Sequence, residues 1–186
     1  MKKVFIVHSF RTEPNGGWRP WLMGELAKKD IYACALPMPT PDKPEKDEWV
    51  KTIADAVGKP NEKIFLVGHS LGVPAIFRYL ETLPEGTKIG GAVLVSGPAF
   101  EIKKEGYEKV NEFVNKPFDF EHIKNVCKSF IIIHGDNDTA VPFSDAEYLS
   151  KNLGCNVISI PNGGHLSGHD GFYKLPQILE VLEKMF

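Results

Sequence analysis

The sequence predicts an α/β domain built on a mostly parallel sheet of about six strands with helices on both faces. Short apolar runs, several rich in valine and isoleucine, recur along the whole chain. Most are continuous rather than alternating, which is how strands read when both faces of a sheet are covered. Segments with helical spacing separate them. Strand, helix, strand in repetition implies parallel pairing through right-handed crossovers.

The elements follow in order. The apolar runs are Val4–Val7, Tyr32–Leu36, Ile64–Val67, Ala92–Val95, Phe130–Ile133 and Val157–Ile160. In the first connection Trp21, Leu22, Leu26 and Ile31 mark one helical face. Trp49, Val50, Ile53, Ala54 and Val57 do so in the second, and Ile76, Phe77, Leu80 and Leu83 in the third. Pro142 leads into a helix over Phe143–Leu153. Pro176 opens the last one, with Ile178, Leu179, Leu182 and Met185 on one side. Proline in a first turn loses no useful donor, so both prolines read as helix starts. Pro37–Asp47, with four prolines, reads as a surface loop. Phe100–Lys128 is the longest connection, with room for two short helices over a pocket.

Composition narrows the function. The 186 residues are 42% hydrophobic and 25% charged, ordinary for one globular domain spanning 1–186. A net charge of −2 lacks the basic footprint of a nucleic-acid binder. Three scattered cysteines, Cys34, Cys127 and Cys155, suit neither a disulfide scaffold nor a zinc site, and the odd count favours a reducing compartment. The N-terminus carries no secretory pattern, and no run approaches the roughly 20 apolar residues of a membrane span. A cytoplasmic location is the expectation.

The run Lys63–Val67 leads into Gly68-His69-Ser70-Leu71-Gly72 and then a helix, the G-x-S-x-G nucleophile-elbow pattern. A serine on so tight a turn is strained and exposed above the sheet. Glycine is needed two residues to either side because a Cβ there would clash with the adjoining strand and helix. The pentapeptide alone is weak evidence; its strand-before, helix-after context gives it weight.

A serine hydroxyl needs a base and an orienting carboxylate. Phe130–Ile133 ends in His134-Gly135-Asp136-Asn137-Asp138-Thr139-Ala140-Val141-Pro142, and Val157–Ile160 ends in Pro161-Asn162-Gly163-Gly164-His165. Both groups follow the carboxyl end of a strand, where open α/β sheets place their sites. Asp138 is preferred over Asp136 as the acid, because its loop is long enough to reach the next one; Asp136 suits a turn-organising Asx role. His165 is preferred over His169 as the base, since the preceding glycines free a loop at a strand end. A metal site of His165, His169, Asp136 and Asp138 is disfavoured, as the Ser167-Gly168 interruption works against a helical H-x-x-x-H pair and no H-E-x-x-H motif occurs. His69 reads as packing against neighbouring loops, His134 as serving its turn, and His122 has no evident role.

Backbone amides should form the oxyanion hole: Leu71 directly after the serine, and Phe10, with Ser9 as the second choice, after the first strand. Trp18, Phe100, Phe113 and Phe118 are candidate walls of an apolar acyl pocket. Trp21 reads more readily as core.

Beyond the elbow, the chain carries His8, Trp18-Arg19-Pro20-Trp21-Leu22, Met38-Pro39-Thr40-Pro41 followed by Trp49, Leu94-Val95-Ser96-Gly97 and Gly163-Gly164-His165. With these interleaved motifs it resembles the retinoblastoma-binding protein 9/YdeN family of compact α/β-hydrolase serine hydrolases over nearly its whole length. The resemblance implies a reduced α/β-hydrolase fold with strand order 2-1-3-4-5-6 and a Ser70, Asp138, His165 triad. His8 is followed by Ser9 where relatives usually carry glycine, which touches the second oxyanion donor. An L-x-C-x-E segment for retinoblastoma-type protein binding is absent; Leu153-Gly154-Cys155-Asn156-Val157 lacks the acid.

The expected activity is hydrolysis of small esters or thioesters through an acyl-enzyme, with a small acyl substrate as partner and no cofactor or metal. An amidase or peptidase on the same triad, and a catalytically idle binding protein on the same fold, are the alternatives.

Overall fold

The computed structural model describes residues 1–186. Six strands form one sheet: β1 (Lys3–Val7), β2 (Tyr32–Ala35), β3 (Ile64–His69), β4 (Gly91–Val95), β5 (Phe130–Gly135) and β6 (Val157–Ile160). Their order is β2-β1-β3-β4-β5-β6, and every pair is parallel. Helices α1 (Arg19–Ala27), α2 (Lys46–Val57), α3 (Gly72–Glu81), α4 (Glu108–Asn111), α5 (Phe120–Val126), α6 (Phe143–Leu153) and α7 (Pro176–Met185) fill the connections.

The continuous apolar runs have the expected cause. Side chains alternate across a strand, so each run feeds two cores. Val4, Ile6, Val67, Val93 and Ile133 face a cluster with Leu22 and Leu26 of α1 and Ile178 and Leu182 of α7. Phe5, Val7, Leu66, Leu94 and Ile132 face the larger cluster, with Trp49 and Ile53 of α2, Ile76 and Leu80 of α3, and Leu149 of α6. Removing one such buried aliphatic side chain typically costs about 2–5 kcal/mol.

Helix ends obey local chemistry. Pro176 is the first residue of α7, Pro142 immediately precedes α6, and α6 stops at Gly154 in the left-handed conformation. Asp47 and Glu48 sit in the first turn of α2, where the helix dipole favours them. Ile31, Leu36 and Leu83, read as members of elements, lie just outside them. Leu36 nevertheless continues the ladder, its amide donating to Ile6 O at 2.9 Å.

All six strands point their carboxyl ends at one rim, and the loops leaving that rim hold the residues with chemistry.

Candidate active site

Ser70 sits between β3 and α3 at φ +53°, a left-handed conformation that costs a non-glycine residue about 1–2 kcal/mol. Its amide donates to Val95 O at 2.8 Å, which ties the turn to the end of β4. The flanking glycines are steric necessities. A Cβ on Gly68 would lie 2.9 Å from the Gly72 carbonyl, and one on Gly72 would overlap the carbonyl of Val7 at the end of β1. The next strand repeats the device: Ser96 has φ +47°, and a Cβ on Gly97 would collide with Val73 of α3.

The loops after β5 and β6 are locked together. A Cβ on Gly135 would overlap the Gly164 carbonyl, so the two chains run nearly in contact. Asp136 Oδ1 accepts from the Asn162 amide at 2.8 Å and Asn137 Oδ1 from the Gly164 amide at 2.7 Å. This holds His165 where its Nδ1–H donates to Asp138 Oδ2 at 2.7 Å. The Asp138 carboxylate is fully buried, and its other oxygen accepts from the Ala140 and Val141 amides at 2.8 and 3.0 Å. Saturated this way, it fixes the imidazole's tautomer and leaves Nε2 free.

Three further histidines are buried and held neutral. His69 donates Nε2–H to the His165 carbonyl at 2.9 Å, and its ring lies 5.3 Å from that of His165. Burial first, and the neighbouring His165 second, push its pKa well below the usual value. His8 donates Nδ1–H to Ser9 O and accepts from the Met38 amide, and His134 donates Nε2–H to Val141 O. Desolvation lowers both of their pKa values. Asp145 at the start of α6 accepts from the Ala99 amide at 2.8 Å; burial raises its pKa.

Ser70 and His165 line one cavity of about 200 Å³ with Phe10, Ile102, Tyr107 and Val141. The amides of Leu71, Ser9 and Phe10 donate to no protein acceptor, whereas the Arg11 amide is engaged by Pro41 O. Ser9 needs no positive φ; Arg11 takes the left-handed conformation, at +53°, so the Cβ at position 9 is accommodated.

Three of the four expected pocket walls lie elsewhere. Phe113 is fully buried, edge-on to Trp49 at 5.8 Å. Phe118 packs between Phe77 and Phe120 with the Arg78 guanidinium 4.3 Å over its ring. Phe100 is half exposed, against Tyr148 at 4.6 Å. None of these three lines the cavity, because Trp49 of α2, Phe77 of α3, Phe120 of α5 and Tyr148 of α6 take them instead. Trp18 is buried with its indole N–H donated to Leu166 O at 3.0 Å, and it borders an adjoining cavity rather than the one at Ser70. Ile102 and Tyr107, which do reach the cavity, come from the long connection expected to cover a pocket. Their own spacing gave no signal, although Tyr107 packs on Phe10 at 5.3 Å. His169 is exposed in a short 3-10 turn, and no group of three or more potential metal ligands forms.

The sequence profile described as Serine hydrolase matches residues 4–184. The chain belongs to the serine hydrolase family. This hydrolase is 34% identical over 185 residues to the protein YdeN of Bacillus subtilis, covering 100% of this chain and 96% of that one. The crystal structure of the B. subtilis ydeN product superposes with a TM-score of 0.94 at 33% identity, over 100% and 99% of the two chains. It is also 24% identical to the serine hydrolase RBBP9 of Rattus norvegicus, over 89% of this chain and 86% of the relative. Est1E from Butyrivibrio proteoclasticus, at 16% identity and a TM-score of 0.74, shares the fold over 99% of this hydrolase and 88% of its own chain.

Proposed function

We propose that this serine hydrolase cleaves small carboxylic esters or thioesters through an acyl-enzyme, with Ser70, His165 and Asp138 as its triad. The observation that carries the reading is the 2.7 Å bond from His165 Nδ1–H to a buried, doubly amide-bonded Asp138, at a cavity His165 shares with Ser70. Ser70 Oγ attacks the carbonyl carbon, and His165 Nε2 takes the proton and returns it to the leaving oxygen or sulfur. Asp138 steadies the imidazolium without itself gaining a proton. Water then repeats the sequence on the acyl-enzyme to release the acid and restore Ser70.

The Leu71 and Phe10 amides receive the oxyanion. Both lack a protein acceptor, and Leu71 stands at the start of α3, whose dipole favours negative charge. One such donor typically supplies about 3–4 kcal/mol of transition-state stabilisation. The three free thiols, Cys34, Cys127 and Cys155, fit a cytoplasmic location.

The test is a rate series on methyl, phenyl and thiophenyl esters of increasing acyl length, paired with the matched amides. Ester and thioester turnover at least a hundredfold above amide turnover is expected. Comparable rates on both would assign an amidase, and no turnover of either by native protein would leave a binding protein on a hydrolase fold.

A further inference from the structure

The cavity at Ser70 is small; at about 200 Å³ it falls below the roughly 300–1,000 Å³ of ordinary ligand sites. It does not end there. A second cavity of about 430 Å³ shares Ser9, Arg11, Thr12, Ser167 and His169 with it and continues towards α1. Most of its walls are polar residue types. The buried Arg19 borders it together with Arg11 and Glu13, which are both exposed.

Arg19 is the unusual group. It is only 3% exposed, yet no carboxylate lies within ion-pairing distance. Its Nε–H donates to Pro14 O at 3.2 Å and Nη2 to Glu13 O at 2.8 Å, which orients the guanidinium, while Nη1 donates to no protein acceptor. Buried charges are normally paired, because an unpaired one loses its hydration without compensation. Desolvation pulls the Arg19 pKa down to about 10, so at neutral pH the side chain remains a cation with an unused donor. His69 contributes no positive charge here, since burial keeps it neutral. The Asp170 carboxylate, on the His165 loop, is already bonded to the Ser167 amide and hydroxyl.

We propose that the adjoining cavity is a carboxylate-binding subsite, with Arg19 as its anchor, so that the preferred substrate is an ester carrying an anionic group at the end remote from the scissile bond. This deepens the esterase reading above and rests on it. Arg19 acts as a specificity residue; the orienting bonds to Pro14 and Glu13 set the direction of Nη1. Nη1 is not sealed from solvent, so an anionic group arriving through the cavity can reach it and gain a charge-assisted hydrogen bond that a neutral analogue lacks.

Two matched pairs test the subsite. The monomethyl ester of glutaric acid is compared with methyl hexanoate, which places the charge on the acyl side. 4-Acetoxybutyrate is compared with pentyl acetate, which places it on the leaving group. At low ionic strength the native enzyme is expected to favour the anionic member of at least one pair by tenfold or more in kcat/KM. Arg19→Gln should collapse that ratio towards one, and Arg19→Lys should restore part of it. Absence of a preference in both pairs overturns the proposal. So does an Arg19→Gln enzyme that slows on both members while keeping the ratio, since Arg19 would then be a loop clamp only. If circular dichroism shows Arg19→Gln unfolded, Arg19→Met is read by the same ratio, and the native preference alone still decides against the proposal if it is missing. If no ester of any kind turns over, the esterase reading fails separately. Calorimetry of monomethyl glutarate on native protein and on the folded Arg19 variant then decides: binding that depends on Arg19 supports the subsite, and no binding overturns it.

Discussion

The two ends of the sheet share strands yet differ in nearly everything else. At the carboxyl end lie all the buried polar and charged residues, His8, Ser9, Arg19, His69, Ser70, Ser96, His134, Asp138 and Asp145. Six of the seven non-glycine residues with positive φ follow strand ends there: Arg11, Thr40, Ser70, Ser96, Asn162 and Leu166. The amino end carries concavities of about 440 and 580 Å³ around the starts of β5 and β6, against about 200 Å³ for the one at Ser70. Those hollows are walled by lysines and apolar side chains and hold no base, acid and nucleophile in register. Single-cavity size points to the amino end. Strain and buried polarity point to the carboxyl end, where the proposed triad lies, since each costs stability and persists only where the surroundings enforce it.

The contrast can be broken or sharpened by substitution. The largest effects belong to the carboxyl end. Ser70→Ala should lower kcat by at least a thousandfold, and Asp138→Asn by roughly a thousandfold to ten-thousandfold through the wrong imidazole tautomer. Ser70→Ala should do so with a melting temperature close to the native one. Steady-state kinetics beside calorimetry checks this; a Ser70→Ala enzyme with a tenth of native activity would contradict it.

Next comes packing. Gly72→Ala forces a Cβ into the Val7 carbonyl, a backbone collision that neither neighbour can relieve by a rotamer change. With overpacking at about 1–3 kcal/mol and about 2–4 °C per kcal/mol for a chain this size, Tm should fall by about 5 °C. Activity should fall with it, because the elbow moves. Gly24 in α1 has nothing near its would-be Cβ, so Gly24→Ala should raise Tm by about 1–3 °C with kinetics unaltered.

The pH response is smaller and has a definite sign. His8, His69 and His134 are all held below the ordinary value of 6.5 by burial. The unfolded chain therefore takes up these protons near pH 6.5, before the folded chain does. Stability is full above that pH and is lost as pH falls below it. A thermal melt series from pH 7.5 to 5 should show Tm declining on the acid side, and a flat profile would contradict the neutral assignment of the three rings. The smallest effect belongs to the amino end: Lys128→Ala removes an exposed ion pair with Glu62, about 0–1 kcal/mol, and should leave kcat/KM untouched.

Sequence patterns made the scaffold legible because burial on both faces writes itself as uninterrupted apolar runs. Val4–Val7 and Ile64–Val67 needed no context to be read as strands. The relation of Asp138 to His165 was legible for a related reason: strand ends deliver loops to one rim, so position along the chain stands in for position in space. The aromatic residues were not legible. Residue type points Phe100, Phe113 and Phe118 to a pocket, but the same chemistry serves a core, and which it serves depends on the path of the 100–128 segment. Residue type alone carries no direction there. Arg19 is illegible in the sequence for the opposite reason. It sits in a recognisable Trp-Arg-Pro-Trp stretch, but only three-dimensional burial without a partner carboxylate makes its charge conspicuous.

Reaction of the native protein with a fluorophosphonate, followed by intact-mass and peptide analysis, tests the central claim most directly. One equivalent of adduct on Ser70 is expected, forming far more slowly in His165→Gln and absent from Ser70→Ala. Equal labelling of Ser70→Ala, or an adduct placed on another residue, would contradict the assignment of Ser70 as the nucleophile.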